Sequence, residues 1–119
     1  MRPHHDLRVW QDAMELVTRI YSVTGTFPAE ERFGLTSQIR RASISVPSNI
    51  AEGAARGSRK EFIHFLTIAR GSLSELDTQL RIARNLEYVA DIAALIVDVE
   101  RLQAAMGSLI KSQRDRLTA

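Results

Sequence analysis

Apolar residues recur at alternating spacings of three and four along four stretches of this chain. That periodicity places them on one face of an α-helix and is typical of helices that pack in a bundle. No stretch shows the alternation with a period of two that marks a half-buried strand. The pattern therefore predicts four helices, at about residues 7–24, 35–56, 59–86 and 91–115.

Short connections separate these predicted helices, and short connections join helices that lie antiparallel to each other. We therefore expect an all-α protein, an antiparallel up-down-up-down four-helix bundle. The chain has 119 residues, which is the length of one domain, so residues 1–119 are predicted to form a single bundle.

The face that each helix turns toward the core follows from its apolar stripe. In the first helix the stripe predicted to face the core contains Leu7, Trp10, Met14, Val17, Tyr21 and Thr24, and Ala13 and Ile20 widen it. Six aliphatic residues lie beside or outside the stripes of the other helices. They indicate a side that packs on another subunit, the alternative being a wide core stripe. The six are Ile44, Ile63, Ile68, Ile82, Val97 and Ile110.

The second helix contains a residue that helix interiors usually avoid. Pro47 has no N–H to donate to the carbonyl of Ser43, so the helix should kink near Pro47, or break and restart there. Asn49 and Glu52 lie one turn apart on the same face, and we expect them to hold the backbone near the kink rather than to act in catalysis. In the third helix, Gly71 marks a place where another backbone comes close or where the helix bends.

Charge and cysteine content narrow the candidate functions. The formal net charge is +2, and the absence of cysteine excludes disulfides and thiolate chemistry. Residues 32–60 contain six cations and one acid, so basic charge is concentrated along helix 2 and the turn after it. Contacts to nucleic-acid phosphates need only such exposed cations. The alternative is a solvated helix face whose cations pair with acids of helices 3 and 4. The candidate nucleic-acid-binding residues are Arg40, Arg41, Arg56, Arg59 and Lys60.

No pattern of catalytic or metal-binding residues stands out. Glu61 and His64 have the spacing of one half of a di-iron site, but helices 1, 2 and 4 contain no histidine to complete it. There is no nucleophile elbow and no phosphate-binding glycine loop. We therefore predict no catalytic residue, no metal site, no cofactor and no enzymatic activity.

Hydropathy also predicts the location of the protein. The first ten residues lack the apolar run of a signal peptide, and no uncharged apolar run approaches the ~20 residues of a membrane span. We therefore expect a cytoplasmic protein that does not cross a membrane.

Several short motifs, in their order and spacing, resemble one known family over roughly residues 7–88. They are LRVWQDA at 7–13, FPAEE at 27–31, LTSQIRRA at 35–42, PSNIAEG at 47–53 and ARGSL at 69–73. This combination strongly resembles the four-helix-bundle family of 23S rRNA intervening-sequence proteins. The chain departs from the family pattern at Glu87-Tyr88, where Gly-Tyr is usual.

Members of that family are similar to the accessory protein of diversity-generating retroelements, a basic pentameric barrel that binds nucleic acid. The resemblance therefore implies a cytosolic homopentamer that binds RNA or DNA through basic positions on the assembled ring, with no catalytic residue to carry over. The alternative function is a structural or protein-interaction module with no nucleic-acid binding. Residues that match the family pattern are Arg40, Arg41, Asn49, Glu52 and Arg70.

Overall fold

A computed structural model of the protein describes residues 4–88 and 91–118, which contain four long helices and one short 3-10 turn. No strand occurs within these two ranges, so the predicted all-α class is confirmed. The predicted domain, residues 1–119, also includes residues 1–3, 89–90 and 119, which lie outside the described ranges. The elements are α1 (Arg8–Thr24), the 3-10 turn (Ala29–Glu31), α2 (Leu35–Ala55), α3 (Arg59–Asn85) and α4 (Ile92–Thr118).

Contacts between α2 and α3 show that these two helices run in opposite directions. The hydroxyl groups of Ser45 and Ser72 are hydrogen-bonded at 2.8 Å. Farther along α2, Gly53 lies against Phe65, which comes earlier in α3. The neighbours therefore follow α2 forwards and α3 backwards, as in an antiparallel pair.

The same holds for α3 and α4. Arg81, late in α3, pairs with Glu100 in the first part of α4 at 3.8 Å. At the other end, Arg59 at the start of α3 donates a hydrogen bond to Gln113 near the end of α4. Because α1 packs on both α2 and α4, each helix has two neighbours, and the result is an elongated bundle of 49 × 22 × 20 Å.

Only part of the stripe that periodicity selected for the core of α1 is buried. Met14 and Tyr21 are 45% and 40% exposed, whereas a neighbouring stripe is buried. The prediction was right for Ala13, Ile20 and Thr24 and wrong for Met14 and Tyr21. α1 has two adjacent apolar stripes with the same period, and periodicity alone does not say which one meets the other helices. The buried residues are Val9, Ala13, Leu16, Ile20 and Thr24.

The six aliphatic residues assigned to a subunit contact divide into two groups. Ile63 and Ile110 belong to the core, with exposures of 8% and 4%, so for them the wide-stripe alternative is correct. The remaining four are between 40% and 44% exposed and have no place in the core. These four are Ile44, Ile68, Ile82 and Val97.

Pro47 lies inside α2, and the helix continues from Leu35 to Ala55 without interruption. The alternative of a break and restart at Pro47 was therefore wrong, while the kink stays a prediction. The side-chain amide of Asn49 donates to the carbonyl and hydroxyl oxygens of Ser45, at 2.8 and 2.9 Å. Since Ser45 is also bonded to Ser72, Asn49 joins the α2 backbone close to the proline to a polar contact with α3.

The two connections at one end of the bundle are tied together by Glu31. Its carboxylate accepts a hydrogen bond from the Tyr88 hydroxyl at 2.7 Å and caps α2 by accepting the Leu35 N–H at 3.1 Å. These bonds, that from Tyr88 first, lower the pKa of the Glu31 carboxyl. The bond to Glu31 likewise raises the pKa of the Tyr88 hydroxyl. The loop before α2 is thus fixed to the turn between α3 and α4.

Candidate nucleic-acid interface

The candidate cations form two groups that the fold keeps apart. Arg40 and Arg41 lie in the second turn of α2, whereas Arg56, Arg59 and Lys60 surround the turn between α2 and α3. At 1.5 Å per helical residue, the groups are separated by roughly 25 Å along the bundle. The five residues therefore do not make one patch within a protomer.

Arg40 is used inside the protomer. Its Nε donates to the Thr24 hydroxyl at 2.9 Å, and one Nη donates to the carbonyl of Tyr21 at 3.3 Å. Its guanidinium also stacks on the Tyr21 ring, 4.3 Å from the centroid. A cation at this position stabilises the end of α1, where carbonyl groups lack helical partners. Arg40 therefore connects α1 to α2 and presents little free charge to a ligand.

Arg41 differs from Arg40 in its exposure and in its contacts. It is exposed, and it has no hydrogen-bond or ion-pair partner within the described residues. It lies on the side of the bundle, and the next residue in the chain, Ala42, is buried in the core. Its charge is available, but it lies alone on that side of α2.

The second group is only partly neutralised. Arg56 pairs with Glu52 at 3.3 Å and stacks on the Phe65 ring, while Lys60 is exposed and has no partner among the described residues. The ion pair with Arg56 also shows that the Glu52 side chain lies on the surface, where it is 51% exposed. Glu52 is a surface partner of Arg56, and its expected role near Pro47 is not supported by the contacts.

The structure adds a third helix end to this group. Arg59 donates to the side-chain oxygen of Gln113, which brings the start of α3 against the last turns of α4. We refer to the six cations gathered there as the basic end. The antiparallel pairing of α3 and α4 is what brings the cations of α4 to the others. The basic end comprises Arg56, Arg59, Lys60, Lys111, Arg114 and Arg116.

Four of the six cations at the basic end lack an acidic partner in the described chain. Lys111 pairs with Asp115 at 3.1 Å, as Arg56 pairs with Glu52. Arg59 bonds a neutral amide. The cations without an acidic or hydrogen-bonding partner are Lys60, Arg114 and Arg116.

A groove with polar walls elsewhere on the bundle differs from the basic end in its balance of charges. It lies between α1 and α4, encloses about 290 Å³ and contains three arginines and three acids. Arg19 and Asp98 pair across it, and Arg8 pairs with Asp12 along α1. Because charges of both signs alternate there, this groove offers no net attraction for a phosphate backbone.

The described residues provide no group of three or more metal-ligating side chains. His64 is exposed and lies edge-on to the Phe65 ring, one residue away. None of the helices in the same part of the chain is long and apolar enough to span a membrane.

Comparison with known proteins agrees with this architecture. The family model described as 23S rRNA-intervening sequence protein matches residues 5–108. Among solved structures, the chain is similar to a protein of unknown function from the S23 ribosomal protein family of Bacteroides thetaiotaomicron VPI-5482. The two share 26% identity and superpose with a TM-score of 0.79 over 87% of this chain and 95% of the other. No curated protein matches. The chain belongs to the 23S rRNA-intervening sequence protein family.

Proposed function

We propose that this protein is a non-enzymatic four-helix bundle that assembles into a homo-oligomer and binds the phosphate backbone of RNA or DNA through its basic end. The observation that carries the proposal is the group of unpaired cations where α3 begins and α4 ends: Lys60, Arg114 and Arg116. A pentamer in the cytoplasm is the assembly that the family resemblance implies. The proposal needs no base-specific contact, because phosphates are recognised by charge alone.

Assembly matters because three cations make a weak site. Each phosphate neutralised by a cation releases condensed counterions, and the gain grows with the number of contacts. Several copies arranged around one axis multiply the contacts along a single strand, so that weak sites combine through effective concentration. A net charge of only +2 on each chain then suffices for binding at moderate salt.

The test is fluorescence anisotropy with labelled single-stranded RNA and DNA of mixed sequence, over a range of salt concentrations. We expect the variant Lys60→Gln/Arg114→Gln/Arg116→Gln to bind more weakly, with the slope of log Kd against log salt reduced by about 2 for each engaged protomer. The matched control, Arg32→Gln/Arg84→Gln/Arg101→Gln, removes the same charge from exposed sites away from the basic end and should keep the slope.

Equal losses in both triple variants would assign binding to net charge and refute the basic end as the site. Absence of salt-dependent binding by the wild type would favour the alternative, a structural or protein-interaction module. The use of Arg40 inside the protomer favours that alternative, since it removes one of the two cations on the side of α2.

A further inference from the structure

The second apolar stripe of α1 lines a groove that is open to solvent. The groove lies between α1 and α2, has a volume of about 360 Å³ and contains no charged side chain. α1 buries its other stripe in the core, and on this one Met14 is 45% exposed while Trp10 packs partly against the core. The lining residues are Trp10, Met14, Val17, Ile44, Pro47, Ser48 and Ala51.

A second unpartnered surface runs along the outside of α3. Ile68 and Ile82 are 40% and 44% exposed. Gly71 lies between them, and a Cβ atom added there would meet no atom within 4 Å. Glycine in a helix interior costs about 1 kcal/mol relative to alanine. No backbone of the same protomer therefore approaches Gly71, which leaves a bend of α3 or a close approach by another molecule as the reason for a glycine here.

The two surfaces match in height along the bundle. The hydrogen bond between Ser45 and Ser72 places these two residues level with each other. Counting from them in opposite directions along the antiparallel helices, Gly71 and Ile68 are level with residues 46–49 of α2. That is the middle of the groove, which extends from Ile44 to Ala51 along α2.

Two more features match at the same heights. Glu75 is level with the residue that follows Arg41, and both side chains are exposed without a partner in the described part of the protomer. Ile82 is level with the start of α2, beside Phe33, which is 86% exposed. The apolar positions of the two surfaces thus occur at matching heights, and Glu75, an acid without a partner in the described part of the protomer, lies at nearly the height of Arg41.

We infer that the groove binds the outer face of α3 from a second copy of this chain. A rotation about an axis parallel to the bundle keeps every residue at its height. The same rotation therefore brings Gly71 and Ile68 to the groove, Glu75 to Arg41, and Ile82 to Phe33. The two surfaces differ, so the contact is heterologous, and repeating it forms a ring when the rotation closes. This inference rests on the proposed self-assembly and names the surfaces that make it.

Gly71→Leu tests the apolar part of the contact. Space around Gly71 is open within the protomer, so the variant should fold, whereas in the assembly its side chain would collide with the groove. We expect light scattering to show an oligomer for the wild type and a mass close to the 13.4 kDa monomer for the variant. Ala104→Leu, at an exposed position of α4, is the matched control and should assemble like the wild type.

The charged part is tested by exchanging the signs. Arg41→Glu and Glu75→Arg should each weaken assembly at least tenfold, because each places like charges opposite each other. The double variant Arg41→Glu/Glu75→Arg should recover most of the loss. Such recovery requires that the two residues meet, which a general effect on folding would not produce.

The outcomes separate this inference from the assembly that it presupposes. A wild type that is monomeric at micromolar concentration would refute both the proposed assembly and these surfaces. A wild-type oligomer that persists in Gly71→Leu and in both single charge variants would refute only the surfaces, with the assembly intact. Loss in Gly71→Leu and recovery in the double variant would establish the contact.

Discussion

Glu87 lies in a backbone conformation that favours glycine, and replacing it should stabilise the protein. Its φ angle is +59°, at the end of α3. The Tyr88 N–H donates to the carbonyl of Ala83 at 3.2 Å, and the Glu87 N–H donates to that of Arg84 at 3.0 Å. This is the Schellman arrangement, whose left-handed position is usually glycine. The related family pattern has glycine before the tyrosine, so Glu87→Gly restores the residue that this geometry favours.

The expected gain in the free energy of unfolding is the sum of two favourable contributions and one unfavourable contribution. A side chain in the left-handed region costs roughly 1–2 kcal/mol, which Glu87→Gly removes. Glycine also gives the unfolded chain more freedom, which costs about 0.4–1 kcal/mol. Removal of a negative charge from a helix C-terminus adds about 0.3 kcal/mol or more. The net expectation is a stabilisation of about 1 kcal/mol, or roughly 4 °C in Tm for a chain of this size.

The assay is urea unfolding followed by far-UV circular dichroism, with wild type and variants at the same protein concentration because assembly shifts apparent stability. Glu87→Ala is the matched control: it removes the charge but keeps the Cβ atom, so it should gain no more than about 0.5 kcal/mol. Ala104→Gly, at an exposed helical site, should lose about 1 kcal/mol. The two controls separate left-handed backbone strain from charge and from a general effect of glycine.

The reasoning would be refuted if Glu87→Gly were no more stable than Glu87→Ala. Any gain would then come from charge, and the strain of the side chain at +59° would not exceed the unfolded-state entropy that glycine adds. A loss of stability in Glu87→Gly would show in addition that unfolded-state entropy exceeds the strain that is relieved.

Two further predictions concern packing and pH. Gly53→Ala should destabilise the protein by about 1–3 kcal/mol in urea unfolding, because the new Cβ would lie 2.7 Å from the Cβ of Phe65. The control is Gly107→Ala, whose new Cβ would meet only the flexible end of the Arg70 side chain and which should be neutral or stabilising. Equal losses of stability in the two variants would contradict this account. The lowered pKa of Glu31 means that its stabilisation is present at neutral pH and lost as the pH falls through its folded-state value. The raised pKa of Tyr88 means that stabilisation is lost again as the pH rises above about 10. Tyr88→Phe should therefore flatten both limbs of a stability–pH profile, and a profile identical to that of the wild type would exclude this bond as a source of stability.

The helices were predictable because each depends on local chemistry that can be found in the sequence. The period of α3 agrees with its buried residues, and Ser58 accepts the Glu61 N–H at 3.1 Å as the S-x-x-E pattern predicts. The core face of α1 was only partly predictable, since it depends on which of two stripes the other helices cover. Gly71 illustrates the same limit: its sequence context indicates a close approach or a bend, and only the fold shows that no backbone of the same protomer approaches it.

The candidate site was only partly predictable, because the sequence gives charge but not its pairing. Arg40 and Arg41 are adjacent and equally basic, yet one stacks on Tyr21 and the other is free in the described structure. The cations of α4 become relevant only when Arg59 meets Gln113 across more than fifty residues of chain. The pairing of Arg40 and the position of the α4 cations both depend on tertiary contacts, which the spacing of residues in the sequence does not reveal.

The two proposals are linked by the direction of the helices. In a ring whose axis is parallel to the bundle, every protomer has the same orientation, so all basic ends lie on one face of the assembly. Arg41 then lies within the contacts between copies, and Lys60, Arg114 and Arg116 are left to meet nucleic acid. Breaking the contact through Gly71→Leu changes no charge, yet it should weaken nucleic-acid binding, because each monomer retains one weak site and loses the effective concentration of its neighbours. Affinity would thus depend on a residue that never touches the ligand.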